Sequence, residues 1–242
     1  MKVGIFQDIH ANLPALSTSL QFFDEQDCDL IIHVGDLVAI GPYPREVMDL
    51  ALNHEKMVFI MGNHDYWYGH GLPDPLPHWM SKEEVQHQRW THQAIGNKYC
   101  SEVQTWAFRK DLELPGGKVI RFQHYALNDQ LNWFHSFIKE PTINDLDQMF
   151  DHNGVDYIFY GHQHIANDQT GKARYVNLGS AGCYDRPESR VAILDASDSS
   201  VRLIKKSLKY EDEGLMDAYD ERQVPARDFI RNAFITRQSW NK

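Results

Sequence analysis

The chain has 242 residues, 42% hydrophobic and 24% charged, with 24 basic against 34 acidic residues and a net charge of −10. That length suits one large domain over residues 1–242, which buries roughly 70–75% of its unfolded surface without staples. The acidic balance argues against an extended nucleic-acid surface or an acidic membrane, which need a basic face, but leaves room for a small anionic substrate where a bound metal inverts the local field. Cys28, Cys100 and Cys183 are far apart and odd in number, so a reducing compartment is the expectation. No apolar run approaches the roughly 18 residues of a membrane span, and no signal segment is recognisable; a soluble, cytoplasmic protein is expected. Thirteen histidines are many for such a composition, and their positions matter.

In chain order, Val3 to Phe6 reads as a strand ending at Gln7-Asp8-Ile9-His10. Asn12 to Gln26 follows with Leu13, Leu16, Leu20 and Phe23 at helical spacing and Pro14 near the start, where proline is tolerated. Leu30 to Val34 is a second strand ending Gly35-Asp36, and Glu46 to Leu52 a short helix. Lys56 to Met61 is a third strand, and Gly62-Asn63-His64-Asp65 follows it. Strands alternating with helices predict parallel βαβ units. Residues 66–80 are aromatic, glycine-containing and interrupted by Pro73, Pro75 and Pro77, which predicts a loop excursion over the sheet edge that could serve as a lid. Residues 81–109 return to helix from a capping-box spacing at Ser81 and Glu84. Leu112 to Leu114 and Lys118 to Phe122 flank Pro115-Gly116-Gly117 as a hairpin, running into Gln123-His124. Thr142 to His152 reads as a helix ended by Asn153-Gly154, and Tyr157 to Tyr160 as a strand ending Gly161-His162-Gln163-His164. Arg174 to Asn177, Arg190 to Asp195 and Val201 to Ser207 are later strands, the last two a hairpin. Residues 211–242 are read as a helical extension, broken near Pro225.

Five strands thus end in a metal-ligand residue: Asp8, Asp36, Asn63, His124 and His162. Two add a second imidazole two positions on, His10 and His164. Seven donors are too many for one zinc and suit two ions sharing a bridge, for which Asp36, on an inner strand, is the choice. Nitrogen and oxygen donors without thiolate favour Mn, Fe, Zn or Co over Ca or Cu(I), with Mn first. Two divalent ions against two carboxylates leave about +2, which suits a phosphoryl substrate, and a bridging hydroxide acidified by the metals would make the in-line attack. His64 is left over from ligation. It is placed to protonate the leaving oxygen or to stabilise charge on the phosphoryl group, with Asp65 either orienting it or capping the next turn.

Asp8-x-His10, Gly35-Asp36, Gly62-Asn63-His64-Asp65, His124 and Gly161-His162-x-His164, in this order, resemble the calcineurin-like metallophosphoesterase superfamily. The stretches Gly35 to Pro44 and Val176 to Gly182 resemble its small prokaryotic phosphodiesterase branch, and the match runs to about residue 195. The resemblance implies a four-layer α/β/β/α sandwich of two mixed sheets flanked by helices. It implies that Asp8, His10, Asp36 and His164 hold one metal and Asp36, Asn63, His124 and His162 the other, with His64 catalytic. Asn63 and His64 would also face the substrate. Ala11, Gln163 and Leu178 depart from the usual Gly, Thr and Pro, which bears on substrate fit rather than metal binding.

Singly, each strand-end Asp or His reads as a capping or surface residue; as a set they read as a metal centre. His33 reads as a satisfied core or interface histidine, and His54, His87, His92, His135 and His152 as surface or packing residues. His70 and His78 leave a third metal open. Tyr66, Trp67, Tyr68 and Trp79 would stack a nucleobase, or else pack over the sheet edge or form a subunit contact, and Arg186 reads first as a solvated loop arginine and second as a phosphate contact. The expected activity is hydrolysis of phosphodiester or phosphoanhydride bonds in nucleotides, such as dinucleoside polyphosphates or ATP. Phosphomonoesterase or protein phosphatase activity is the alternative, and a non-catalytic interaction scaffold the alternative from another class. The helical C-terminus and exposed aromatics suggest a homo-oligomer.

Overall fold

The computed structural model describes residues 1–196 and 201–235. The first sheet has the parallel strands β1 (Lys2–Phe6), β2 (Leu30–His33) and β3 (Met57–Phe59) at one side. The antiparallel β9 (Glu188–Asp195) and β10 (Arg202–Lys209) complete the order β10-β9-β1-β2-β3. The second sheet is ordered β4-β5-β6-β8-β7, from β4 (Arg109–Glu113), β5 (Val119–Gln123), β6 (Tyr157–Phe159), β8 (Arg174–Asn177) and β7 (Asn167–Thr170), with β5, β6 and β8 parallel. Phe6 pairs with His33 and His33 with Phe59, while Phe122 pairs with Phe159 and Phe159 with Val176. The parallel strands of each sheet therefore finish level.

Period-two burial decides the layering. Val3, Ile5 and Ile32 meet Ile120, Phe122, Phe159 and Val176 between the two sheets. On the outer face of the first sheet lie α1 (Leu13–Glu25), through Ala15, Leu16, Leu20 and Phe23, and α2 (Pro44–Leu52), through Val47, Met48 and Ala51. On the outer face of the second lies α6 (Ile143–Met149), where Leu146 packs with Phe150, Ile158 and Tyr175. The result is the expected α/β/β/α sandwich. Asn12 starts α1 by accepting from Ala15 N at 3.1 Å, and Pro14 falls in the first turn, where it lacks no needed donor.

Several elements differ from the sequence reading. Residues 66–80 are not one loop: α3 spans Asn63–His70, and Gly71, at φ 89°, ends it. The prolines all lie beyond Gly71, so they break nothing in α3. The helix read over 81–109 is α4 (Lys82–Ile95), stopped by Gly96 at φ 73°, followed by one turn, α5 (Cys100–Val103). α6 ends at Met149, ahead of Asn153-Gly154. β7 went unread because Asn-Asp-Gln-Thr carries no apolar alternation; it pairs with β8 at the sheet's edge. The C-terminal extension comprises α7 (Leu215–Glu221), α8 (Arg227–Ile230) and a π-helical turn at Arg231–Ile235. Residues 236–242 of that extension, and 197–200 between β9 and β10, lie outside the described residues.

Candidate active site

Asp8 and His10 follow β1, Asp36 follows β2, Asn63 and His64 follow β3, His124 follows β5, and His162 and His164 follow β6. Level strand ends bring all eight to one edge of the sandwich. His124 Nε2 is 3.2 Å and His10 Nε2 3.7 Å from Asp36 Oδ2, and His164 Nε2 is 3.5 Å from Asp8 Oδ1. The donor atoms of Asp36, His124 and His162 lie within 4.8 Å of one another, as do those of His10, Asp36 and His64. Asp36 belongs to both groups, which suits the bridging position.

The backbone at this edge is unusual. Asp8, His10, Asp36, His162 and His164 all have left-handed φ, between 48° and 73°. Non-glycine residues rarely adopt that region, and runs of them cluster where structure over-determines a site. Two glycines are needed for space. A Cβ on Gly35 would lie 2.4 Å from His124 Nδ1, and one on Gly62 would lie 2.2 Å from Asp36 N and Oδ1. The glycines before Asp36 and Asn63 thus let neighbouring donor residues approach.

Partners behind the site orient the rings. His124 Nδ1 donates to Val34 O at 2.9 Å and His10 Nδ1 to Val38 O at 3.3 Å, so each presents Nε2 to the centre. Gln7 and Asn177 tie the two sheets together underneath: Gln7 Nε2 donates to Asn177 Oδ1 at 2.6 Å, and Asn177 Nδ2 donates to Gly161 O and Gln163 Oε1. Ser180 Oγ donates to Asp8 O at 2.6 Å. Asp65 does not touch His64. Its carboxylate accepts from Gly62 N, closing the start of α3, and from the backbone N–H groups of Asp36, Leu37 and Val38, so it shapes the loop that carries Asp36. Gln88 on α4 holds His64 instead: Gln88 Nε2 donates to His64 Nδ1 at 2.6 Å. That leaves the proton on His64 Nε2, which lies 4.0 Å from Asp36 Oδ2.

Electrostatics follow from burying so many ionisable groups. Burial pushes the Asp65 carboxyl up to about 7, with the Asp36 charge adding to it. Burial also favours a protonated Asp36, but the surrounding imidazoles, His124 first, hold its carboxyl well below the usual range. His124 shows the reverse balance: Asp36 and then Asp8 outweigh its burial and raise it to about 9. Burial and His124 push His162 down to about 3, and burial and His164 push His10 down as well.

A pair of cations fits these residues. Asn63 Oδ1 is buried with no donor, and His124 Nε2 is buried without a hydrogen bond. The Nε2 atoms of His10 and His164 lie 2.8 Å apart, a separation that calls for a shared proton or cation. Asn63, with neutral oxygen, and the carboxylates Asp8 and Asp36 complete a mixed nitrogen and oxygen set. The sequence reading counted no thiol, yet the donor atoms of His10, His164 and Cys183 also lie within 4.8 Å of one another.

The centre opens into a cavity of about 660 Å³. Trp67, Trp79 and Glu84 line it, together with the stretch Trp133 to Phe137, and Phe234 of the π-helical turn packs 5.7 Å from His164. The aromatic excursion therefore divides: Trp67 and Trp79 face the cavity, Tyr68 is buried with its hydroxyl donating to Gly96 O, and Tyr66 stacks on His70. His135, read as a surface or packing residue, lines the cavity; Arg186 is exposed and does not. His70 and His78 belong to no cluster of metal-donor atoms among the described residues. His33 is a core residue but not a satisfied one, since neither ring nitrogen has a partner. Gln88 and the 133–137 segment escaped the sequence reading. The run Trp-Phe-His-Ser-Phe was the available signal for the segment, while nothing local marks Gln88.

A family model, the calcineurin-like phosphoesterase superfamily domain, matches residues 1–199. The chain belongs to the calcineurin-like phosphoesterase superfamily. This phosphoesterase is 29% identical over 225 residues to the uncharacterized protein MJ0912 of Methanocaldococcus jannaschii, covering 84% of this chain and 86% of that one. Among solved structures, its fold is similar to that of hypothetical protein PH1004 from Pyrococcus horikoshii, with TM-score 0.77, 18% identity and coverage of 97% and 98%. A metallophosphoesterase from Sphaerobacter thermophilus gives TM-score 0.69 at 20% identity, covering 95% and 96%. Phosphoesterases of this family use divalent metal ions, and the His and Asp donor groups around Asp36 are candidates to hold them. No helix among the described residues is long and apolar enough to cross a membrane.

Proposed function

We propose that the protein is a dimetal phosphodiesterase in which Asp8, His10, Asp36 and His164 hold one ion and Asp36, Asn63, His124 and His162 the other. The observation that carries this reading is the convergence of seven donors at level strand ends, with Asp36 common to two donor groups. Bound there, two divalent cations supply Lewis acidity toward a phosphoryl oxygen and lower the pKa of water enough to make it a nucleophile at neutral pH. The protein's own residues do the rest. His64, held by Gln88 with its proton on Nε2, donates to the leaving oxygen or to the phosphoryl group as charge develops. Asp65 keeps the Asp36 loop in its left-handed turn, and the aromatic walls exclude bulk water from the reacting centre.

Manganese is the first choice of ion, with iron and zinc next. Hydrolysis of bis-p-nitrophenyl phosphate and of p-nitrophenyl phosphate, each with added Mn, Fe or Zn, tests both points. Faster turnover of the diester, dependent on metal and abolished by chelation, is expected. A clear monoester preference would replace the diester reading with a phosphomonoesterase.

A further inference from the structure

The cavity walls carry a charge pattern the metal centre does not explain. Among the described residues no lysine or arginine lines the cavity, and away from the centre its ionisable side chains are Glu84 and the single imidazole of His135. Burial raises the Glu84 carboxyl, but in either protonation state it offers an anion no positive charge. Two divalent ions against Asp8 and Asp36 leave about two positive charges, enough for one phosphoryl group and its attacking oxygen. Further phosphates would have to sit against aromatic rings and Glu84 with one imidazole, His135, near them, where desolvated anions are costly. Enzymes that grip polyphosphate chains do so with Arg and Lys forks, and among the described residues this wall has no such fork.

What it has is aromatic surface. Trp67 stands edge-on to His64 with ring centroids 5.1 Å apart, and Trp79 and Trp133 lie 6.3 Å and 6.5 Å from Trp67. Phe137 reaches His162 at 5.2 Å, so the aromatic wall begins at the reacting centre. The three tryptophans also line a neighbouring cavity of about 510 Å³, which continues the wall outward. Flat rings stack on such surfaces without charge pairing.

We propose that the site selects phosphodiesters with a single phosphoryl group and an aromatic substituent, such as a nucleobase, stacked on the Trp67–Trp79–Trp133 wall, and that it rejects polyphosphate chains. The proposal rests on the phosphodiesterase reading above and narrows its substrate. It sets aside the dinucleoside polyphosphates and ATP expected from sequence.

Three probes test it with the metal-loaded protein: thymidine 5′-(p-nitrophenyl phosphate), methyl p-nitrophenyl phosphate and diadenosine tetraphosphate. The first two share the p-nitrophenyl leaving group and differ in whether the non-leaving arm carries a nucleobase to stack on the wall. The nucleoside diester is expected to show kcat/KM about tenfold above the methyl diester, mainly in KM, and diadenosine tetraphosphate is expected to be the poorest. Trp79 is 56% exposed, so Trp79→Ala leaves the core packed. It is expected to raise KM for the nucleoside diester about tenfold more than for the methyl diester. Glu84→Lys, which adds the missing cation, is expected to raise relative turnover of the tetraphosphate. Equal rates for the two diesters, or preference for the tetraphosphate, would overturn the proposal while leaving the phosphodiesterase reading intact. No metal-dependent turnover of any probe would remove that reading itself.

Discussion

At the scale of single residues, the proposed mechanism separates groups that would hold ions from groups that would move protons. Asp36 is the residue shared between the two donor groups, so Asp36→Asn is expected to lower occupancy of both ions together, measured by metal analysis of the purified protein. Loss of one ion alone would contradict the bridge. His64→Ala is expected to keep both ions and lose roughly 10²–10⁴ in kcat. Gln88→Leu, which fits the same space but cannot donate to His64 Nδ1, should lower kcat with metal content and KM little changed; a change in KM alone would deny it the positioning role. His33 carries a different lesson. Its ring lies between Phe6 and Phe59, at centroid distances of 4.9 Å and 6.4 Å, with both nitrogens unpartnered. Burial pushes it down to about 3, so it is neutral in the folded protein. Replacing a buried, unsatisfied polar ring by an apolar one is neutral or stabilising, and His33→Phe is expected to raise unfolding free energy by about 1 kcal/mol in denaturant titrations.

At the scale of elements, α4 is the clamp over the centre. Two successive residues reach inward from it: Gln88 to His64, and His87 to the loop after β2. His87 Nε2 accepts from Ile40 N at 2.7 Å, and its Nδ1 donates to Pro225 O at 3.2 Å, joining the C-terminal extension to the Asp36 loop. The bond from Ile40 needs the neutral ring, and burial lowers His87 to about 4. A histidine near 6.5 when unfolded and near 4 when folded favours the folded state fully above pH 6.5. That contribution is lost progressively as pH falls from 6.5 to 4, where the unfolded chain takes up the proton first. His87→Gln, which cannot titrate, is expected to be less stable than the parent at pH 7 and to close that gap by pH 4 in urea unfolding curves. A gap that stays constant with pH would show that His87 does not titrate this way. α3 depends on Asp65 in the same element-level sense, because one carboxylate serves both its N-terminus and the Asp36 loop. The sequence left two roles for Asp65, and the structure answers with the cap.

At the scale of the molecule, the two sheets are joined by apolar packing between them, by the Gln7–Asn177 bond beneath the strand-end cluster and by an ionic clasp between the edge strands β7 and β10. Asp168 on β7 pairs with Arg174 on β8 in its own sheet and with Lys205 on β10 of the other, at 2.8 Å and 2.5 Å. These partners, Arg174 first, hold the Asp168 carboxyl down to about 2. A depressed carboxyl stabilises the fold above its unfolded value near 3.9, and that contribution is lost as pH falls from there toward 2. The clasp is partly exposed, so Asp168→Asn is expected to cost no more than about 1 kcal/mol at pH 7, to lose part of that in high salt, and to differ little from the parent at pH 2. Thermal unfolding at the two pH values checks the sign.

Local sequence determined a large part of this protein. Apolar runs closed by Gly or Gln and a donor residue marked five strand ends, and helical spacing at Leu13, Leu16, Leu20 and Phe23 marked α1, because strand and helix periods write themselves into neighbouring residues. The residues that meet at the candidate centre were legible for the same reason: they follow five apolar runs, two of which carry a pair. Proline and glycine signals misled at 66–80, where a helix of eight residues, Asn63–His70, capped by Asp65, runs ahead of the prolines. The polar edge strand β7 left no periodic trace. What only the tertiary structure decided is how distant pieces meet. Gln88 is 24 residues from His64, Asp65 answers the loop at Asp36 rather than its neighbour, and Trp133 to Phe137 close a wall begun by Trp67. Such contacts depend on strands ending level and on a helix crossing their edge, and no stretch of chain records where another element will pass.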